Sequence, residues 1–75
     1  MGVAIKAIQL IALLARKGFM VIRQTSSHAI LKHPLFPTRN PTVPLHNKDL
    51  KIGTLKSILK QSGISWKEFL KMLGR

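Results

Sequence analysis

Residues 3–15, VAIKAIQLIALLA, repeat apolar positions at helical spacing and predict an amphipathic helix. Ile5, Ile8, Ala12 and Ala15 share one face, which Ile11 and Leu14 widen. Lys6, Gln9, Arg16 and Lys17 take the other, and Leu10 and Leu13 spill beyond the stripe. That surplus reads either as a greasy surface or as a partner contact. Gly18 is the expected C-terminal stop. The period then changes. FMVIRQ (19–24) is apolar and β-branched and reads as a strand, TSS (25–27) as a turn, and HAILKH (28–33) as a second strand. Alternation puts Ala29, Leu31 and His33 on one strand face and His28, Ile30 and Lys32 on the other. The first set suits a covered side, and a slip of one residue would exchange the two.

Pro34, Pro37 and Pro41 punctuate the next connection. TVPLH (42–46) is a short third strand, and Pro44 within it argues for a sheet edge. NKDLKIG is a basic loop. TLKSILKQ (54–61) is a helix with Leu55, Ile58 and Leu59 inward, Lys56 and Lys60 outward, and Gly63 as its stop. A last helix opens at Ser65, which forms an S-x-x-E capping box with Glu68, while Ile64 and Phe69 form a hydrophobic staple. Trp66, Phe69, Leu70 and Leu73 make its apolar stripe, better suited to core packing than to base stacking. The order predicts an α+β domain: three antiparallel strands with helices on one face and the other face open. With 75 residues and no internal repeat, a single domain over residues 1–75 is expected. A chain this short buries only about 60% of its unfolded surface and is marginally stable.

Charge narrows the function. Thirteen Lys and Arg against two acids leave +11, a self-repulsion that a polyanion or acidic partner would offset. Nucleic acid is the first reading, an anionic membrane surface the second, and a merely solvated basic surface the third. The apolar run near the start is shorter than the ~20 residues that span a bilayer. Lys6 and Gln9 interrupt it, and RKGF follows where a signal peptide would carry small residues, so no membrane partner is expected. The absence of cysteine removes disulfides and thiolate zinc sites and fits a reducing cytoplasm.

Candidate chemistry centres on three histidines, His28, His33 and His46. His28 and His33 fall on opposite strand faces, and Asp49 and Glu68 are the only carboxylates, so no metal site or other cofactor is expected. No Ser–His–acid triad and no glycine-rich phosphate loop is supported. RNA, however, carries its own nucleophile, the 2′-hydroxyl. A histidine can take that proton or supply one to the leaving 5′ oxygen, while cations stabilise charge developing on the phosphate. His28, beside Ser27 on the open face, suits that role, although a lone strand histidine is more often a bystander. His33, before Pro34, and His46, at a strand end, read as turn or surface residues.

Three stretches in this order carry a family resemblance: GF…VIRQTSSHAILKHP, the TVPLHNKDLKI segment, and the GTLKSILKQSGI helix. Over roughly residues 5 to 70 the chain resembles the HicA (YcfA-like) messenger-RNA interferase toxins. The resemblance implies a double-stranded-RNA-binding-domain-like α-β-β-β-α fold, metal-independent endoribonuclease activity on mRNA, and a HicB-type antitoxin covering the toxin. The family's catalytic histidine follows a Gly-Ser pair, and it maps to His28, with Ser27 as the serine. Ser26 stands where the family has glycine, and serine tolerates a positive φ poorly. The proline-rich connection and the apolar first helix are further departures. Ser27, Lys32, Lys48, Lys51 and Lys56 are the expected RNA-binding residues. The rival readings are a non-catalytic RNA-binding module of the same fold, a membrane-active cationic peptide, and an inactive relative that only binds its partner.

Overall fold

Six elements follow one another in the order helix, three strands, two helices. A computed structural model describes residues 3–74. The elements are α1 (Ala7–Arg16), β1 (Met20–Gln24), β2 (His28–Lys32), β3 (Thr42–Pro44), α2 (Ile52–Ser62) and α3 (Trp66–Met72). The sheet is antiparallel with β2 in the centre. This is the expected α+β arrangement, with the terminal helix divided in two at Gly63.

The division has a local cause. Gly63 sits at φ +71°, and the Ile64 N–H reaches back to the Leu59 carbonyl at 3.0 Å while the Gly63 N–H reaches Lys60 at 3.2 Å. These two bonds satisfy carbonyls that the helix end would orphan. Gly18 ends α1 in the same way, at φ +96°, with Phe19 bonded to Leu14 and Gly18 to Ala15. Each motif also drops an apolar residue, Phe19 or Ile64, into the core. At α3 the Ser65 hydroxyl accepts from the Glu68 N–H at 3.1 Å, as expected. The reciprocal half of the capping box is absent, because the Glu68 carboxylate pairs with Lys17.

The core joins one face of each helix to Ala29, Leu31 and Val43 of the sheet. The inward residues of α2 are those the sequence predicts. Those of α1 match only at Leu14, with Ile11 half-buried beside it. Ala7, Leu10, Leu13 and Leu14 are buried, whereas Ala12 and Ala15 are exposed and Ile8 is 76% exposed. The reason is the starting point. Ile5 is buried, but it precedes the helix, in a segment whose Ile5 carbonyl accepts from the Leu50 N–H at 2.9 Å. Helical spacing counted from Ile5 therefore has the wrong phase. The helix begins after Lys6, whose N–H donates to Gln9 Oε1 at 2.9 Å.

The sheet's two outer strands differ. β3 ends at Pro44, which faces His28, and the chain then turns so that the Leu45 N–H donates to the Ser27 carbonyl at 2.7 Å. β1 is exposed along its whole length, and its register with β2 shifts between Val21 and Arg23. The helices thus cover β2 and β3 and leave Met20, Val21 and Ile22 to solvent. A bulge and a flanking arginine are common protections for such an edge.

Candidate active site and nucleic-acid interface

The β1–β2 turn is built around Thr25. Its hydroxyl oxygen accepts from the backbone N–H groups of Ser27 (3.2 Å) and His28 (3.1 Å), and its own N–H donates to the His28 carbonyl at 2.9 Å. Threonine side chains often substitute for backbone partners in this way. No residue other than glycine has a positive φ among the described residues, so Ser26 occupies the turn without left-handed strain. Thr25 was not singled out from the sequence. Its position one residue ahead of the Ser-Ser pair is the signal that was available.

The turn delivers His28 to the first position of β2, on the face turned away from the core; the burial along β2 alternates with Ala29 and Leu31 inward. Ser27 Oγ lies 2.9 Å from His28 Nδ1. A hydroxyl both donates and accepts, so this contact serves either neutral tautomer. With Nδ1–H donated to Ser27, Nε2 is a free acceptor. With Ser27 O–H donated to Nδ1, Nε2–H is a free donor. Among the described residues nothing bonds Nε2, which leaves it open for either task.

Ser27 and His28 touch; the lysines are spread out. Lys32 shares the His28 face of β2, roughly 13 Å further along at strand spacing. Lys48 and Lys51 flank the buried Leu50 on the connection into α2, and Lys51 is that helix's N-cap. Lys56 is on α2, with Nζ 5.4 Å from the Trp66 ring centroid. A shallow cleft of about 460 Å³ lies between the start of α1 and the end of β3, lined by Lys6, Ile8, Leu45, His46 and Asn47. Lys6 Nζ donates to the Asn47 carbonyl there at 3.1 Å. His46 is exposed on its rim, as its strand-end position suggests.

His33 departs from expectation. It is 8% exposed rather than a surface residue. Its Nδ1 accepts from the Leu35 N–H at 3.1 Å, which leaves Nε2–H to donate to the Lys17 carbonyl at 2.8 Å. Phe19 packs edge-on at 5.0 Å between centroids, and Phe36 tilts against it at 4.9 Å. A Cβ on Gly18 would lie 2.6 Å from Nε2. The alternation that assigned His33 to the covered face was the better guide, and proximity to Pro34 the worse one.

Among the described residues, no three His, Asp or Glu side chains come together as a metal cluster, and no helix is long and apolar enough to cross a membrane. A protein-family model described as the HicA toxin of bacterial toxin-antitoxin matches residues 8–64. The chain belongs to the HicA toxin family. The match runs from the first turn of α1 through the whole sheet to the end of α2, so it includes Thr25, Ser27 and His28 and leaves out α3. No curated protein matches this chain. HicA membership gives it the role of a toxin in a toxin–antitoxin pair, and with that an antitoxin partner.

Proposed function

We propose that this HicA-family toxin is a metal-independent endoribonuclease that cleaves mRNA in the cytoplasm, with His28 as general acid or base. The single observation that carries the reading is the His28 imidazole, exposed on the sheet's open face with Nδ1 held by Ser27 and Nε2 unbonded among the described residues. In the cleavage step the RNA 2′-oxygen attacks the adjacent phosphorus. The O2′–P bond forms, the P–O5′ bond breaks, and the 2′ proton is replaced on the leaving side by a proton on O5′. Nε2 serves one end of this transfer, as base to the 2′-hydroxyl or acid to O5′, and water serves the other. Ser27 fixes the ring. Lys32, Lys48, Lys51 and Lys56 supply the positive field that holds the phosphates, and single-stranded RNA binding then weakens with salt at about −0.7 per phosphate neutralised. A HicB-type antitoxin silences the toxin by covering this basic face.

The test is incubation of the protein and its His28→Ala variant with a long unstructured RNA in EDTA. The parent cleaves, and the variant is slower by about 10²- to 10⁴-fold. Equal cleavage by both removes His28 from the chemistry. Intact RNA bound by both in a salt-sensitive way replaces the enzyme with an RNA-binding module.

A further inference from the structure

We propose that Phe36 and Arg39, at the far end of β2 from His28, form a base-stacking subsite for single-stranded RNA. The inference rests on RNA being the substrate and adds where a second part of the strand is held.

Phe36 is 41% exposed and the neighbouring Leu35 75%, in a chain with only four aromatic residues other than histidine. The segment that carries them is not a loose loop. Phe36 N–H donates to the His33 carbonyl at 3.2 Å, Arg39 N–H to the Phe36 carbonyl at 2.9 Å, and Asn40 Nδ2 to the Pro37 carbonyl at 3.2 Å. Leu31 N–H closes the far side on the Pro41 carbonyl at 3.0 Å. Three prolines fix φ along the same stretch. Phe36 is therefore presented on a pre-ordered turn, and a base that stacks on it orders little protein.

Arg39 completes the site. Its Cζ lies 3.9 Å from the Phe36 centroid, over one face of the ring. The guanidinium also approaches Gly63 so closely that a Cβ there would meet Cζ at 2.6 Å. Sandwiched between ring and backbone, the plane is held in place, and among the described residues Arg39 joins no ion pair. Its N–H donors remain for a phosphate or a base edge. A cleft of about 330 Å³ opens beside the pair, bordered also by His33, Ile64 and the Lys17–Glu68 ion pair, whose carboxylate is neutralised by the lysine. An aromatic ring with a fixed cation beside it is the combination that single-stranded nucleic acid uses.

The subsite lies about 17 Å from His28 along the strand, with Lys32 between them. At ~3.4 Å per stacked nucleotide that span is at most about five nucleotides. RNA of twelve nucleotides therefore reaches both places.

The experiment measures binding of fluorescent U12 RNA to His28→Ala protein, which processes it at least about 10²-fold more slowly than the parent, and to the same protein carrying Phe36→Leu or Arg39→Gln. Melting temperatures establish that each variant is folded. Phe36→Leu is expected to weaken U12 binding by about tenfold, with an unchanged salt slope. Arg39→Gln is expected to weaken U12 binding and to flatten the salt slope by about 0.7. Unchanged U12 affinity in folded Phe36→Leu, while the parent cleaves RNA, removes the subsite and leaves the nuclease reading intact. A parent that neither binds nor cleaves RNA brings down the nuclease reading and this inference together.

Discussion

His28 and His33 begin and follow the same strand, five residues apart, and are opposite in every physical respect. His33 is enclosed by Phe19 and Phe36, and both its ring nitrogens are committed to backbone groups. His28 is exposed, shares one nitrogen with a neighbouring hydroxyl, and keeps the other open. An imidazole whose hydrogen bonds are complete is a structural joint. One with an unused nitrogen facing solvent is available for chemistry.

The largest stability effect that separates them is His33→Ala. It leaves the Lys17 carbonyl and the Leu35 N–H without partners and opens a cavity between two phenylalanines. Both lost bonds are only part-buried, so each orphan costs about 1 kcal/mol, the low end for a lost partner, and the cavity adds to this. A total of about 3 kcal/mol lowers the melting temperature of a domain this size by roughly 12–24 °C. His28→Ala is an exposed change and stays within about 0.5 kcal/mol of the parent. Thermal melts of the two variants side by side decide the matter, and equal shifts would erase the distinction.

Gly18→Ala sharpens the comparison from the opposite wall. The new Cβ would sit 2.6 Å from His33 Nε2, at a backbone φ of +96° that alanine adopts reluctantly. A loss of about 1–3 kcal/mol follows, read as a lower urea midpoint at constant slope. Gly53→Ala is the matched control, because open space surrounds that position within a helix. It should be neutral or stabilising by up to about 1 kcal/mol. If both glycines respond alike, the contact with His33 is not what constrains residue 18.

These contrasts mark how far the sequence could be read. The elements were legible because turn residues separate them cleanly: Gly18, the TSS turn, the three prolines and Gly63 all fall at boundaries. The inward face of α2 was legible because Leu55, Ile58 and Leu59 lie inside one uninterrupted helix. The phase of α1 was not, because an extended residue, Ile5, is as apolar as the helix that follows it. His33 was misjudged because its partners, Lys17 and Leu35, come from a helix end and a loop that no local pattern connects to it. The Arg39–Phe36 stack against Gly63 was hidden for the same reason. Ser27 and His28 could be singled out since they are adjacent in the chain, whereas Thr25 becomes visible only once the turn closes on its hydroxyl.

The smallest effect expected concerns Ser27. Its hydroxyl orients the His28 ring but takes no proton from RNA in the proposed step. Ser27→Ala removes the hydrogen bond to His28 Nδ1, worth about 0.5–1.5 kcal/mol between exposed groups, and a longer one to Thr25 Oγ1 at 3.4 Å, so cleavage should slow by roughly 2- to 12-fold. Stability should hold, since the Ser27 backbone N–H stays bonded to Thr25 and its carbonyl to Leu45. Ser27→Thr keeps a hydroxyl and should recover most of the rate. Single-turnover cleavage under saturating enzyme separates the rate from binding. A Ser27→Ala variant as inactive as His28→Ala would move the serine from positioning the ring into the proton transfer itself. The two residues would then be one catalytic unit, and the contrast with His33 would rest on a pair rather than on a single open nitrogen.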